Sequence, residues 1–485
     1  MDIINKNNIV NDIINNNKII ERSLNSITVI DGRYYNSTKN LTDFFSEYAL
    51  IKNRVLVEIE YLVLLANNLR EYDSKLSNIN IYNINLLRSI YIRFNMNDAI
   101  KIKEIENITK HDVKAVEYFI KEKIKSINNE DCYSCLEYLL QYVHFGLTSN
   151  DINSVANGIS LHDFVKKIYI PKLISIKNTL INSFEKYNML PFPTYTHGQS
   201  ATPSMFYKEI KVFIERLEKE LELLMNYIFE AKFGGAIGNC NIHKFIFEDL
   251  KDWPKILDTF INKFNLKRQT HTTQIEHYDN ISRLFDNIKR INNILLDFCV
   301  DIWLYISKDL IKQKVIKEEV GSSTMPHKVN PIFFENAEGN LKLSNCLLEF
   351  MSSKLPVSRM QRDLTDSTVT RNYGSVFGYT LIAYDSILKG LERIEPNIIK
   401  INEELNNYIL LAEPVQSFLK AKGIEDGYEI LKEFTRTKSY ISKEDYQQFI
   451  KDLLKNYEEN HKIIISNEEY NNLINLDPKI YTGYF

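Results

Sequence analysis

Three segments of the sequence place apolar residues at intervals of three and four positions over several helical turns. The apolar positions are Phe44, Tyr48, Ile51, Val55, Ile59, Leu62 and Ala66 in the first segment, Phe206, Ile210, Phe213, Leu217, Leu221, Leu224 and Ile228 in the second, and Leu284, Ile288, Ile291, Leu295, Phe298, Ile302 and Tyr305 in the third. Such spacing is that of an amphipathic helix, and stripes of this length are typical of helices packed nearly parallel. The pattern therefore predicts a bundle of long helices.

Glycine and proline are scarce, which agrees with long elements and few turns. The chain has 15 glycines and 11 prolines in 485 residues, about half the share that average usage of roughly 7% and 5% would give. Further helices are expected around 150–188, 333–355 and 372–393, and no stretch shows the sustained alternation of a half-buried strand. We therefore predict an all-α fold of three helical domains. They are an N-terminal domain with substrate-binding loops (1–137), a central long-helix bundle with catalytic loops (138–391) and a C-terminal domain (392–485).

The charge, the cysteines and the hydropathy exclude several classes of function. A formal net charge of −3 gives no overall field to attract nucleic acid or an anionic membrane, so an anionic ligand must be held by local cations. Five cysteines, odd in number and mostly scattered, favour reduced thiols in a cytoplasmic protein. Charged residues interrupt every apolar run well before the ~18 residues of a membrane helix. We expect no signal peptide and no membrane span.

Short segments rich in polar residues and glycine connect the expected helices. Binding and catalytic residues tend to lie on such loops when a rigid scaffold positions them. The segments are 191–203, 232–243, 268–281, 317–331 and 356–368. We therefore expect functional residues in these segments.

The most specific passage lies in one of these loops. It reads Gly-Ser-Ser-Thr-Met-Pro-His-Lys-Val-Asn-Pro over 321–331 and continues into Phe-Glu-Asn over 334–336. Adjacent serines behind a glycine, followed by Met-Pro-x-Lys-x-Asn-Pro, resemble the signature of the fumarase/aspartase superfamily. The ending His-Lys-Val-Asn-Pro with Phe-Glu-Asn most resembles the adenylosuccinate lyase family of the bacterial purine-pathway type.

Further passages extend the resemblance over nearly the whole chain. They are Asp-Gly-Arg-Tyr at 31–34, Lys-His-Asp-Val-Lys-Ala-Val-Glu at 110–117, Thr-Ser-Asn-Asp-Ile-Asn at 148–153, Thr-His-Gly-Gln-Ser-Ala-Thr-Pro at 196–203, Thr-Thr-Gln-Ile-Glu at 272–276 and the arginine-rich segment 358–372. The resemblance implies elimination of fumarate from adenylosuccinate, giving AMP, and from succinyl-carboxamide imidazole ribotide in purine nucleotide biosynthesis, without a cofactor. It also implies a homotetramer in which loops of three subunits form each active site.

Such an elimination needs a base that takes a proton from the carbon next to a carboxylate and an acid that protonates the departing nitrogen. The resemblance assigns the base to Ser322, the acid to His197 and a partner of that histidine to Glu335. A neutral serine is a poor base, so backbone N–H groups of the loop and Lys328 would have to stabilise its alkoxide. Gly321 would give the loop the freedom to close over the substrate.

The remaining predicted site residues would bind the substrate. A succinylated nucleotide carries two carboxylates and a phosphate, and arginine is suited to forked contacts with such groups. The resemblance assigns the nucleotide and its phosphate to Arg33, Tyr34, Arg362, Ser367 and Arg371, the succinyl half to Thr148, Ser149, Gln274, Ser323, Lys328 and Asn330, and the region between them to His111 and Asp112, with Asn336 as a further binding residue. An arginine on such a surface can also be a solvated side chain, and this is the simpler interpretation of Arg359.

Three positions depart from the bacterial pattern. Lys110 stands where the pattern has asparagine before His-Asp, Asn150 where it has glutamate after Thr-Ser, and Ser200 where it has proline after Gly-Gln. None of these changes removes a group that handles protons. They affect the details of substrate contact more than the reaction.

Other motifs carry less weight. The pair Cys132 and Cys135 lacks a second metal-binding pair and is interpreted as two helix residues. The glycine-rich stretch 234–239 matches no nucleotide-binding fingerprint and is expected to be a tight loop beside the active site. The nine histidines include no H-E-x-x-H pattern, so no metal is implied. Two alternatives stay open: another enzyme of the superfamily, such as argininosuccinate lyase, aspartase or fumarase, and a non-catalytic scaffolding tetramer.

Overall fold

A computed structural model describes most of the chain. It covers residue 21 and residues 23–130, 136–247, 252–314, 325, 327–461 and 464–484. Five residues discussed above lie outside these ranges: Cys132, Cys135, Gly321, Ser322 and Ser323.

Long helices form where the apolar spacing predicted them. They are Glu47–Asn68, Phe206–Met225 and Asp279–Ser307. The other predicted helices are also present, as Ile332–Lys354 and Tyr373–Leu391. The expected helix around 150–188 consists of two helices joined by a π-helical turn at Val165–Tyr169. The predicted helical fold is confirmed.

The other α-helices in the described ranges complete this architecture. Those of eight or more residues are Ile81–Ile92, Met96–Thr109, Asp112–Glu130, Ser149–Phe164, Ile170–Phe184, Trp253–Asn262, Ile398–Leu405, Ala412–Ala421, Gly427–Thr435, Lys443–His461 and Asn467–Ile474. The shorter ones are Tyr35–Thr38, Thr42–Phe45, Asn241–Ile246 and Thr365–Thr370. Within these ranges, each helix is either too short or too polar to span a bilayer.

The first apolar stripe is broken near its start. Ser46 has an extended backbone, and its Oγ accepts a hydrogen bond from the N–H of Ala49 at 3.1 Å. A serine in this position caps a new helix. Phe44 therefore lies in a separate short helix, and the long helix begins at Glu47.

Short strands form three two-stranded sheets in the described residues. Pro191–Thr196 pairs antiparallel with Gln199–Met205, Glu230–Ala231 pairs parallel with Lys267–Arg268, and Ile311–Gln313 pairs antiparallel with Ile394–Pro396. The segment 191–203, which we expected to be a loop, is thus mostly a β-hairpin. His197 and Gly198 form its turn with φ of 53° and 75°, the left-handed region that two-residue hairpin turns require.

The chain forms two compact units. The first comprises Met1–Ile174, Glu220–Asn293 and Gly339–Asp385, and the second comprises Ser175–Lys219, Ile294–Glu338 and Ser386–Phe485. The predicted division into three domains, with boundaries near 137 and 391, stays a prediction.

Aromatic packing forms part of the core of the first unit. The rings of Phe45 and Phe164 both lie against Phe377, with centroids 5.1 and 4.4 Å from it. The helix Glu47–Asn68 crosses this core and is buried along most of its length. Because so little of it reaches solvent, its three buried charged residues, Arg54, Glu58 and Glu60, all need polar partners within the protein.

The C-terminal part of the second unit has a separate apolar cluster. Leu411, Val415, Leu419, Ile450 and Leu454 lie in it and are at most 1% exposed. They come from helical segments on both sides of the turn that follows residue 435. This packing holds together the last helices of the chain.

Candidate active site

A cavity of about 720 Å³ lies in the first unit, a size typical of small-molecule sites. Six of the predicted binding residues line it: His111, Asp112, Ser149, Arg362, Ser367 and Arg371. These residues come from three separate stretches of the sequence. The fold of this unit thus brings together residues that are up to 260 positions apart.

Charged side chains dominate one wall of the cavity. Oδ2 of Asp112 accepts hydrogen bonds from Nη2 of Arg54 at 2.7 Å and from Nη2 of Arg371 at 3.1 Å. Arg371 also lies 3.4 Å from Glu47, which in turn pairs with Lys103 at the same distance. The wall therefore presents cations that are already paired with carboxylates.

His111 directly precedes the first residue of a helix. Lys110 ends the preceding helix in the left-handed conformation, with φ of 55°, and the next helix starts at Asp112. The backbone N–H of Lys114 donates to Nδ1 of His111 at 3.1 Å. A neutral ring held in this way carries its proton on Nε2, which is therefore the nitrogen left for a ligand.

Asp151 organises the segment that carries Thr148 and Ser149. Its Oδ2 accepts from the N–H of Thr148 at 2.7 Å, and its Oδ1 accepts from Nζ of Lys232 at 2.7 Å. The N–H groups of Gly234 and Gly235 also donate to Oδ1, at 2.7 and 3.1 Å. The glycine-rich stretch is thus a tight turn held through Asp151. Thr148 does not line the cavity, whereas Ser149 does.

The cavity floor contains buried polar residues from three segments. Tyr278, Asp366 and Tyr373 line it, and Tyr278 donates from its hydroxyl to Oδ2 of Asp366 at 2.9 Å. Glu276 lies nearby and is 2% exposed. Ser154 donates to its Oε2 at 2.7 Å. Burial, which the hydrogen bond from Ser154 only partly offsets, raises the pKa of Glu276 to about 8.

Gln274 reaches the cavity through an arginine. Nη1 of Arg362 donates to Oε1 of Gln274 at 3.2 Å, and the N–H of Gln274 donates to the carbonyl of Gln361 at 3.3 Å. Gln274 is not itself a lining residue. Its position is that of a residue that orients Arg362.

Arg33 and Tyr34 are not among the residues that line this cavity. They lie in a turn before the helix Tyr35–Thr38, and the guanidinium carbon of Arg33 is 5.9 Å from the centroid of the Tyr34 ring. Arg33 is exposed to solvent. Their predicted role in nucleotide binding stays a prediction.

The proposed acid, His197, lies in the second unit at the exposed turn of the hairpin. C-terminal helical residues border this hairpin: Tyr195 lies 3.5 Å from Glu404, and Thr202 lies 3.5 Å from Glu413. The exposed turn leaves the imidazole of His197 open to other molecules.

Glu335 and Asn336 occupy the first turns of the helix Ile332–Lys354 in the same unit. Oε1 of Glu335 accepts a hydrogen bond from Nε1 of Trp303 at 3.1 Å. Oδ1 of Asn336 accepts from the hydroxyl of Ser386 at 2.7 Å. In the single chain, as far as the structure describes it, no hydrogen bond or ion pair joins Glu335 to His197, so their pairing stays a prediction. Lys328 is exposed and Asn330 half-buried.

Sequence reasoning missed Arg54 and Glu276. Arg54 falls between the apolar positions Ile51 and Val55, and a cation beside a buried stripe is a sign of an internal ion pair. Glu276 falls within a quoted motif, but nothing in the motif indicates that its carboxyl is buried. Among the described residues, no three His, Cys, Asp or Glu side chains lie together in a way that could hold a metal ion.

Comparisons with known proteins agree on one family. Residues 32–345 match the family model described as "Lyase", and residues 358–482 match the model described as "Adenylosuccinate lyase C-terminal". The chain is 46% identical to an adenylosuccinate lyase of Dictyostelium discoideum, over 88% of the chain and 92% of that protein. It is 42% identical to the adenylosuccinate lyase of Escherichia coli (strain K12), over 88% of the chain and 91% of that protein.

Solved structures share the fold at low sequence identity. A fumarate lyase from Mesorhizobium sp. BNC1 has a TM-score of 0.67 and 15% identity, and the match covers 92% of this chain and 95% of that one. A 3-carboxy-cis,cis-muconate lactonizing enzyme from Pseudomonas putida has a TM-score of 0.69 and 17% identity, with 92% and 94% covered. These structures show the fold alone, whereas the matches in sequence show that the chain belongs to the adenylosuccinate lyase family.

Proposed function

We propose that this protein is an adenylosuccinate lyase that eliminates fumarate from adenylosuccinate, giving AMP, and from succinyl-carboxamide imidazole ribotide, giving the carboxamide ribotide. The cavity of the first unit carries the proposal. It collects His111, Asp112, Ser149, Arg362 and Arg371, which come from separate motifs of the family. A shared motif alone can survive the loss of activity, whereas a cavity that gathers several of them supports a retained binding site.

The charges of the cavity suit a substrate that is itself an anion. Arg371 is half exposed and paired with Asp112 and Glu47. A phosphate can replace the weaker of these partners, Glu47 at 3.4 Å, through the same forked geometry. Arg362 and Lys110 add positive charge to the wall. We propose that this end of the cavity takes the nucleotide phosphate.

The proposed chemistry is a β-elimination in which one residue removes a proton and another supplies one. Ser322, as an alkoxide stabilised by loop N–H groups and Lys328, takes the proton from the carbon next to the carboxylate. His197 gives a proton to the nitrogen as the carbon–nitrogen bond breaks, and Glu335 orients that histidine. The exposed position of His197 at a hairpin turn supports this role because an exposed imidazole is accessible to a small molecule.

We further propose that the active enzyme is a homotetramer in which loops from three subunits complete each site. Large apolar side chains on the long helices support this assembly. Trp303 and Leu304 are 40% and 45% exposed, and Leu343 and Phe350 are each 52% exposed, and a partner subunit that covered them would bury apolar surface. We also propose a cytoplasmic location, supported by the free cysteines Cys240, Cys299 and Cys346.

Fumarate release tests the proposal directly. The purified protein is incubated separately with adenylosuccinate, argininosuccinate, aspartate and malate, and the absorbance of fumarate is followed. Release from adenylosuccinate, and not from the three compounds that lack a phosphate, is expected. Activity only on a compound without phosphate would contradict the nucleotide assignment, and no activity on any of them would favour a scaffolding role.

A further inference from the structure

Arg54 is a buried cation and one of the residues that line the cavity. Its side chain is 3% exposed, and it lies on the helix Glu47–Asn68 among apolar residues. A guanidinium in such surroundings is stable only when its N–H groups are paired. Two pairings are present: Nη2 donates to Oδ2 of Asp112 at 2.7 Å and Nε donates to Oδ1 of Asn153 at 2.8 Å. Arg54 therefore ties its helix to two other helices of the cavity wall.

Asp112 also bonds to a second arginine, Arg371. Its Oδ1 accepts from the N–H of Val113 at 2.9 Å, and its Oδ2 is shared between Arg54 and Arg371. Burial alone would raise the pKa of the Asp112 carboxyl, but Arg54, the Val113 N–H and Arg371 together lower it. The carboxylate is thus charged and hydrogen-bonded through both oxygens, which gives Arg371 a partner in a defined position.

Arg371 depends on that partner for its position. Its side chain is 49% exposed, and its only other ion pair in the described part of the chain is with Glu47 at 3.4 Å, a long contact between two half-exposed groups. A long side chain that is free in solvent must be ordered when a ligand binds, and this ordering weakens binding. Arg54 lowers this ordering cost indirectly, because it fixes the position of Asp112 before a ligand binds.

We propose that Arg54 is a positioning residue, which acts through Asp112 to hold Arg371 ready for the phosphate of the substrate. The inference rests on the proposed function, because it takes the phosphate end of the cavity as its starting point. Lysine cannot replace Arg54, since an ammonium lacks the planar fork that reaches Asp112 and Asn153 at the same time.

The test compares Arg54→Lys with a matched substitution of Arg88, which lies on the helix Ile81–Ile92 and pairs with the helix that carries Arg54. Arg88 makes a forked pair with Glu60, at 2.7 and 2.9 Å, and is not a lining residue of the cavity. Arg54→Lys is expected to raise the KM for adenylosuccinate and weaken inhibition by AMP about tenfold, the effect of leaving one long side chain unordered. The kcat should change far less. Arg88→Lys should leave KM and AMP inhibition as in the wild type.

A double-mutant cycle separates positioning from direct contact. In an Arg371→Met background, Arg54→Lys should raise KM no further, because the group on which it acts is gone. A KM that is unchanged in Arg54→Lys, or raised equally with and without Arg371, would overturn the proposal.

If Arg54→Lys does not fold, Asp112→Asn carries the same test, with the same expected loss of AMP inhibition. A wild-type protein that releases no fumarate from adenylosuccinate would overturn the proposed function and this inference together, whereas failure of the cycle in an active enzyme overturns the inference alone.

Discussion

Nζ of Lys232 lies 2.7 Å from Oδ1 of Asp151, and neither side chain has any exposed surface. Lys232 also donates to the carbonyl of Gly235 at 2.6 Å. A buried pair of opposite charges is tolerated when the other donors and acceptors around it are also paired, as they are here. The pair joins the turn at Gly235 to the helix start at Thr148 and Ser149, one of which lines the cavity.

Lys232→Met should be strongly destabilising. The substitution leaves the Asp151 carboxylate buried without its cation, which costs about 3–5 kcal/mol of unfolding free energy. Urea unfolding followed by circular dichroism measures the change. Since Asp151 holds the N–H of Thr148, the variant should also lose activity under conditions in which it is still folded.

The control for this variant is Lys219→Met. Lys219 and Glu215 lie at the same Nζ–Oε1 distance of 2.7 Å, but their side chains are 70% and 69% exposed. Solvent screens such a pair, so its loss should leave the unfolding free energy nearly unchanged. Equal effects of the two substitutions would show that burial is not what makes the Lys232 pair important.

Glu276 should make the protein less stable as pH rises. Burial raises the pKa of its carboxyl from 4.5 to about 8. Between these values the unfolded chain has lost this proton while the folded chain still holds it, so rising pH favours the unfolded state, by up to about 1.4 kcal/mol per pH unit. Glu276→Gln, which mimics the neutral carboxyl, should remove this slope.

The measurement is the unfolding free energy of wild type and Glu276→Gln at about pH 5, 6.5 and 8. These values span the range between the ordinary and the raised pKa of the Glu276 carboxyl. The stability of the variant relative to wild type is expected to increase with pH. Glu222→Gln, at an exposed carboxyl of the helix Phe206–Met225, should follow the wild-type profile. Parallel profiles for Glu276→Gln and wild type would mean that this carboxyl is ionised in the folded protein.

The helices were predictable because their apolar spacing reports burial directly. The third stripe lies within Asp279–Ser307, and its residues from Leu284 to Ile302 are at most 1% exposed. The hairpin at 191–205 was not predicted. Pro191 and Pro193 interrupt the expected pattern, and burial along the first strand does not alternate, so the period of a half-buried strand is absent from the sequence.

Some residues of the cavity could also be predicted from the sequence, but the buried residues that hold them in place could not. Motifs identified His111, Asp112 and Arg371 because their residue types suit the chemistry. Arg54 and Glu276 act through partners far away in the chain: Arg54 bonds to a residue 58 positions on, and Glu276 to one 122 positions back. A single sequence does not show which distant residues pair with each other. Buried ion pairs, and carboxyl groups whose pKa is shifted by burial, can therefore be identified only once the fold is known.

The departure at Lys110 has a consequence for stability. Lys110 ends the helix Met96–Thr109 with φ of 55° and ψ of 27°, a left-handed conformation that asparagine adopts more readily than lysine. Lys110→Asn should therefore raise the unfolding free energy, by up to about 1 kcal/mol. The exposed residue Lys101, in the same helix, provides the opposite control, since Lys101→Asn introduces a poorer helix former. Thermal unfolding should show a higher midpoint for the first variant and a lower one for the second.

The proposed acid and base should be replaceable without loss of the fold. His197 is exposed at a turn, so His197→Asn, which also tolerates a positive φ, should keep the helical circular dichroism signal. It should lower the rate of fumarate release from adenylosuccinate by about 10²–10⁴-fold, the usual contribution of a general acid.

Ser322→Ala should have an effect of at least this size, because no other group is proposed to remove the proton. Ser200→Ala, on the facing strand of the hairpin, is the matched control and should keep wild-type turnover. Near-normal fumarate release by both His197→Asn and Ser322→Ala would show that the elimination uses other residues.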